Sequence, residues 1–225
     1  MSMSFADKVL VFYRSLHINA RLPKGIQVLN PYQDDRAFYL TAKFYKKYYD
    51  DDLERTMILG INPGRFGAGL TGIPFTDPIK LERVCGIEND LPKKAELSAD
   101  FIHAMIAAFG GAEKFFSMFY FNSVSPLGFI QNGKNLNYYD SPQLLKSLQS
   151  FITDSIHTQI GFGVNRKKAF CLGEGENLKH LTKLNEAEEF FEEIVPLAHP
   201  RFVMQYKRKQ MQGYIDDYLT KLGGH

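Results

Sequence analysis

The chain has 225 residues, 44% of them hydrophobic, and 27 Lys and Arg against 25 Asp and Glu leave a net charge of +2, which neither demands nor excludes a polyanionic partner. Residues 1–225 read as a single domain, able to bury roughly 70% of the surface its unfolded chain would expose. Two separated cysteines, Cys85 and Cys171, argue against a disulfide framework and are too few for an iron–sulfur cluster, and no apolar stretch approaches the about 18 residues of a membrane span, so a soluble, cytoplasmic protein is expected.

Apolar residues recur at helical spacing over residues 5–16, behind a Ser4 cap, and again over 34–49. Between these two predicted helices, residues 19–32 contain Pro23, Gly25 and Pro31 and read as an ordered loop. Four short runs rich in β-branched or aromatic residues follow, at 56–61, 117–122, 168–172 and 193–198, and these suit buried strands. Helical patterns at 98–109, 141–160, 175–184 and about 205–222 accompany them. The alternation predicts an α/β fold, a three-layer α/β/α sandwich around a short, mainly parallel four-stranded sheet. Ligands of such sheets bind beyond the carboxyl ends of the strands, where Asn62, Asn122, Gly173 with Glu174, and His199 stand.

The stretch after the first strand is the most informative. Asn62-Pro63-Gly64 ends an apolar run, and Gly67, Gly69 and Gly72 then frame Phe66 and Phe75. Such a segment is either a glycine-rich connection or a backbone shaped to approach a flat ligand. It contains Gly67-Ala-Gly69-Leu-Thr-Gly72, which spells a dinucleotide fingerprint but does not lie at a strand-to-helix turn. Gly128 to Asn135 nearly spells a P-loop, yet Asn135 replaces the hydroxyl residue that would hold magnesium, so a polar loop is expected there. The six histidines show no metal-ligand spacing. Basic clusters at Lys43, Lys46 and Lys47, at Arg166 to Lys168, and at Lys207 to Lys209 are ordinary solvated faces unless a site adjoins them.

Taken in order, Asn62-Pro63-Gly64, Gly72-Ile73-Pro74-Phe75, Asn122-Ser-Val-Ser-Pro-Leu127 and His199-Pro200 form a set that resembles the uracil-DNA glycosylase superfamily. Within it, the first two motifs are most similar to the single-strand-selective monofunctional enzymes and their bacterial relatives. The resemblance spans about residues 57–210 and implies a monomeric enzyme without metal or organic cofactor, whose partner is uracil-containing DNA, single- or double-stranded.

That resemblance assigns roles. Phe75 stacks on the flipped base, Asn122 pairs with its edge, and Gly64 leaves room at the pyrimidine C5, so that 5-hydroxymethyluracil is a candidate substrate. Asn62 holds the attacking water; an asparagine is not a general base, so the implied path is dissociative, with the sugar turning cationic before water adds. His199 stabilises the charge developing on uracil O2. The family pattern His-Pro-Ser-Pro is replaced here by His199-Pro200-Arg201-Phe202-Val203-Met204. Phe202 or Met204 is the expected wedge between bases, and Arg201, Lys207 and Lys209 the expected phosphate contacts. No lysine stands where it would form a Schiff base. The other class of reading is a DNA- or nucleotide-binding module that keeps the fold without catalysis.

Overall fold

The computed structural model describes residues 3–223. It begins with α1 (Phe5–Ser15), whose Ser4 hydroxyl and Asp7 carboxylate form a reciprocal capping box. Then come β1 (Ile26–Leu29), a 3-10 turn at Pro31–Gln33, and α2 (Asp35–Tyr48), capped where Asp34 Oδ1 accepts the Ala37 N–H at 2.8 Å. The chain continues through β2 (Arg55–Gly60), the one-turn α3 (Ala68–Thr71), α4 (Pro78–Arg83), α5 (Leu97–Phe109), α6 (Ala112–Met118) and β3 (Phe119–Ser123). After β4 (Gly128–Gln131) and β5 (Lys134–Leu136) follow α7 (Pro142–Ile160), β6 (Val164–Leu172), α8 (Glu176–Glu188), β7 (Glu193–Leu197), α9 (Pro200–Tyr206) and α10 (Met211–Leu222).

The central sheet has the order β3-β2-β6-β7 and is parallel throughout. β2 is an inner strand, and its Met57, Ile58 and Leu59 are buried on both faces, which is why the segment reads as an unbroken apolar run rather than an alternation. β3 presents Tyr120 and Asn122 to one side, toward Tyr13 of α1 and Gln159 of α7. Its other side carries Phe121, packed on Phe115 of α6 and on Phe75, each with ring centroids 5.3 Å apart. Helices therefore cover both faces, as the alternating pattern predicts.

Three expectations need correction. Residues 117–118 end α6 instead of opening a strand, and β6 starts at Val164, ahead of the run at 168. The single helix expected from about 205 is two, α9 and α10, because Lys207 leaves the helical region (φ −128°, ψ 22°) and a 3-10 turn at Arg208–Gln210 redirects the chain. Finally, the loop at 19–32 contributes β1 to a second, antiparallel sheet of order β1-β4-β5. Its hairpin turns at Asn132 (φ +51°) and Gly133 (φ +71°), the Asn-Gly pair that two-residue hairpin turns favour, so the apparent P-loop is a β-hairpin. Among the described residues no helix is long and apolar enough to cross a membrane.

Candidate active site

The ends of β2, β3 and β7 converge on a cavity of about 310 Å³ at the carboxyl edge of the central sheet. Asn62, Gly64, Phe75, Ser123, His199, Arg201 and Phe202 all line it. The structure thus brings together residues that lie up to 140 positions apart in sequence, from Asn62 to Phe202.

Asn62 follows β2, and its side chain is held twice by the segment leaving β5. Nδ2 donates to the Leu136 carbonyl at 3.1 Å, and Oδ1 accepts the Tyr138 N–H at 2.9 Å. These bonds assign the amide orientation and leave Oδ1 one lone pair for a water in the cavity. The small sheet therefore has a function in the site: its β5 edge aims Asn62.

Phe75 owes its position to glycine and strain. Its φ is +55°, a left-handed conformation that costs a non-glycine residue about 1 kcal/mol or more. The loop that imposes it is clamped by Thr71, whose hydroxyl donates to the Thr76 carbonyl at 2.7 Å and accepts the Ile73 N–H at 3.1 Å. The ring then lies against bare backbone: a Cβ on Gly60 would sit 2.6 Å from Phe75 Cζ. The false dinucleotide glycines serve the same loop. Gly69 lets α3 approach the Gly64 carbonyl, 2.6 Å from a would-be Cβ, and Gly72 ends α3 with φ +71°.

His199 caps α9. Its Nδ1 accepts the Arg201 N–H at 3.2 Å, so the neutral ring carries its proton on Nε2. Burial, reinforced by the Arg201 charge, pushes the imidazole down to about 4. It is therefore a neutral donor at physiological pH, suited to a developing oxyanion without first losing a proton. Gly173, at the end of β6, packs beside this ring, whereas Glu174 does not line the cavity.

Asn122 is not in the cavity. Side chains alternate along a strand, and the face that carries Tyr120 also carries Asn122. Its Nδ2 faces the Tyr120 hydroxyl at 2.9 Å, the Tyr13 hydroxyl at 3.3 Å and Gln159 Oε1, while its Oδ1 accepts the Ser123 N–H at 2.7 Å. The neighbour Ser123 shares the Phe121 face and lines the cavity in its place. Asn122→Ala is expected to lower unfolding stability by about 2 kcal/mol, because buried hydroxyls and Gln159 lose a shared partner. Chemical denaturation measures that loss, while the turnover of the folded variant stays near that of the unaltered protein. A lost activity at unchanged stability would return the base-reading role to Asn122.

The segment after His199 also divides. Met204 is buried in the core (5% exposed) and is not available as a wedge. Phe202 is exposed and lies 5.7 Å from Tyr206, itself 66% exposed, and both rings rim the cavity. Arg201 lines it too; Lys207 and Lys209 are exposed on the turn that follows. Sequence reasoning missed Ser123, Tyr206 and Glu96, which also reach the cavity wall. Strand alternation was the signal for Ser123, but a strand apolar on both faces conceals it. Among the described residues no cluster of histidine, cysteine or carboxylate side chains is arranged to hold a metal.

A family model described as the uracil DNA glycosylase superfamily matches residues 46–223. The chain belongs to that superfamily. The crystal structure of SMUG2 from Pedobacter heparinus is 47% identical to this chain, with a TM-score of 0.96 over 99% of this chain and 98% of that one. No curated protein matches it. Membership in the superfamily accounts for the parallel four-stranded sheet flanked by helices.

Proposed function

We propose that the protein is a monofunctional DNA glycosylase that takes uracil out of the stack and hydrolyses its N-glycosidic bond, leaving an abasic site. The observation that carries this reading is one cavity in which Asn62, Phe75 and His199 meet, in a chain whose superfamily and 47% identical SMUG2 neighbour support the same chemistry.

Excision requires the base to leave the stack, which the cavity accommodates. The base lies on the Phe75 ring, with its edge at Ser123. A hydroxyl rotates to donate or accept, so Ser123 reads that edge less exclusively than an amide would. His199 Nε2–H donates to the O2 oxygen as the glycosidic bond lengthens and negative charge gathers there. The free lone pair of Asn62 Oδ1 holds a water at the opposite, sugar side. Phe202 and Tyr206 occupy the space left in the strand, and Arg201, Lys207 and Lys209 meet phosphates. DNA enters as substrate, and no lysine chemistry is required.

The test is release of base from oligonucleotides containing uracil, 5-hydroxymethyluracil or other deaminated bases, in single and double strands, followed by alkali to cleave at abasic sites. Cleavage at uracil is expected. Intact strands with every lesion would refute the reading. The same panel ranks 5-substituted uracils, for which the wall at Gly64 is narrow: a Cβ there would lie 3.3 Å from Glu96 Oε1 and 3.4 Å from Asn135 Nδ2.

A further inference from the structure

Glu96 stands at the N-terminus of α5, yet its carboxylate does not cap that helix. Its backbone N–H donates to Asp77 Oδ2 at 2.8 Å, and its side chain turns into the cavity wall. One carboxylate oxygen lies beside Gly64, two residues beyond Asn62. The other occupies the space of a Gly67 side chain, 1.8 Å from where a Cβ would be. Gly67 is the first glycine of the false dinucleotide fingerprint, and its lack of a side chain admits a carboxylate.

The charged groups around Glu96 come from several elements. Asp77 faces it from the start of α4, Arg201 from α9, and Arg65 and Lys134 from the adjoining hollow, while neutral His199 shares the cavity. Among the described residues none of these cations pairs with it within ion-pair distance. Burial first, then the Asp77 charge, push the carboxyl up to about 7, with Arg201 pulling the other way. A half-buried, unpaired carboxylate is costly to keep, and such groups concentrate where chemistry uses them.

Resting on the glycosylase reading above, we propose that Glu96 is a further catalytic residue: its carboxylate contacts the water held by Asn62, stabilises the cationic sugar, and takes the proton that water releases. The bond between C1′ and the base nitrogen breaks, and its electron pair leaves with the base. A water lone pair forms the new C1′–O bond. One water proton passes to Glu96 and from there to the departed base anion, so the carboxylate is restored and one water is consumed. Asn62 orients this water but has no basic pair with which to accept its proton.

The test is the single-turnover rate of uracil excision between about pH 5.5 and 9 for the unaltered protein, Glu96→Gln and Glu96→Asp, with thermal melts as the check on folding. The unaltered protein is expected to speed up through neutrality and level off. Glu96→Gln should be about 100-fold slower on the plateau and flat with pH, and Glu96→Asp should recover the rise at a reduced rate. Glu96→Gln should also melt higher than the unaltered protein above neutrality, since it removes a buried charge. Equal rates and profiles for Glu96→Gln and the unaltered protein would overturn the inference. So would an unaltered protein whose rate does not rise through neutrality, a result that needs no variant to fold. An unaltered protein that releases no base from any lesion refutes the glycosylase reading instead.

Discussion

Asn62→Ala is expected to slow uracil excision on the order of 10³-fold while the protein stays folded. The loss arises because alanine has no oxygen to hold the water at the sugar, and misplacing a nucleophile forfeits most of the advantage of orientation. The fold survives because the Asn62 side chain bonds only backbone groups, the Leu136 and Pro63 carbonyls and the Tyr138 N–H, at the cavity where water can replace it. Single-turnover kinetics beside a thermal melt separate the two effects. Full activity in a folded variant would remove Asn62 from the mechanism, whereas unfolding would show that its bonds to the small sheet are structural. Asn62→Asp is a useful companion, since it keeps the acceptor oxygen but cannot donate to Leu136. It should fall between the two.

His199→Ala is the second large effect, about 100-fold in rate, the magnitude typical of removing one donor to a developing oxyanion, about 3 kcal/mol. The ring is already neutral, so its contribution is constant from mildly acidic to alkaline pH. The rate change through neutrality attributed to Glu96 should therefore persist in His199→Ala. A variant whose pH profile loses that change would instead tie it to the histidine.

Acid stability follows from the same shift. His199 and His103 are both pushed down to about 4 from an ordinary 6.5, His103 by burial and then by the Lys80 charge. Between these values the unfolded chain binds more protons than the native one, so stability is complete above 6.5 and is lost as pH falls toward 4. Glu96, raised to about 7 from 4.5, acts in reverse: the native state holds its proton longer, and stability falls as pH rises through that window. Two histidines against one carboxylate leave a net loss in acid. Denaturant midpoints taken across this range should decline below pH 6.5, and less steeply in His199→Ala than in the unaltered protein.

Much of this architecture is legible in the order of the residues. Inner strands such as β2 are apolar on both faces, and helices announce themselves through Ser4, Asp34 and Ser141 caps, so the alternation of elements and the parallel sheet follow from local pattern. Strand ends in parallel sheets face ligands, which is how Asn62 and His199 stand out from the order of residues alone. Even the small sheet left a trace in Asn132-Gly133, obscured by its likeness to a phosphate loop.

What folding alone reveals concerns direction. Asn122 and Ser123 are adjacent, and the choice between them turns on a strand parity that shows only when Tyr13 and Gln159 claim one face and Phe75 the other. Met204 and Phe202 are likewise two apart on one helical turn, and packing buries the first while exposing the second. Glu96 has no local signature at all, lying in a polar stretch whose carboxylate meets Gly64 and Gly67 only when α5 docks beside β2's outgoing loop. Periodicity and caps are one-dimensional properties of a chain; the side on which a residue emerges depends on which neighbours fill the space, and that is settled by packing.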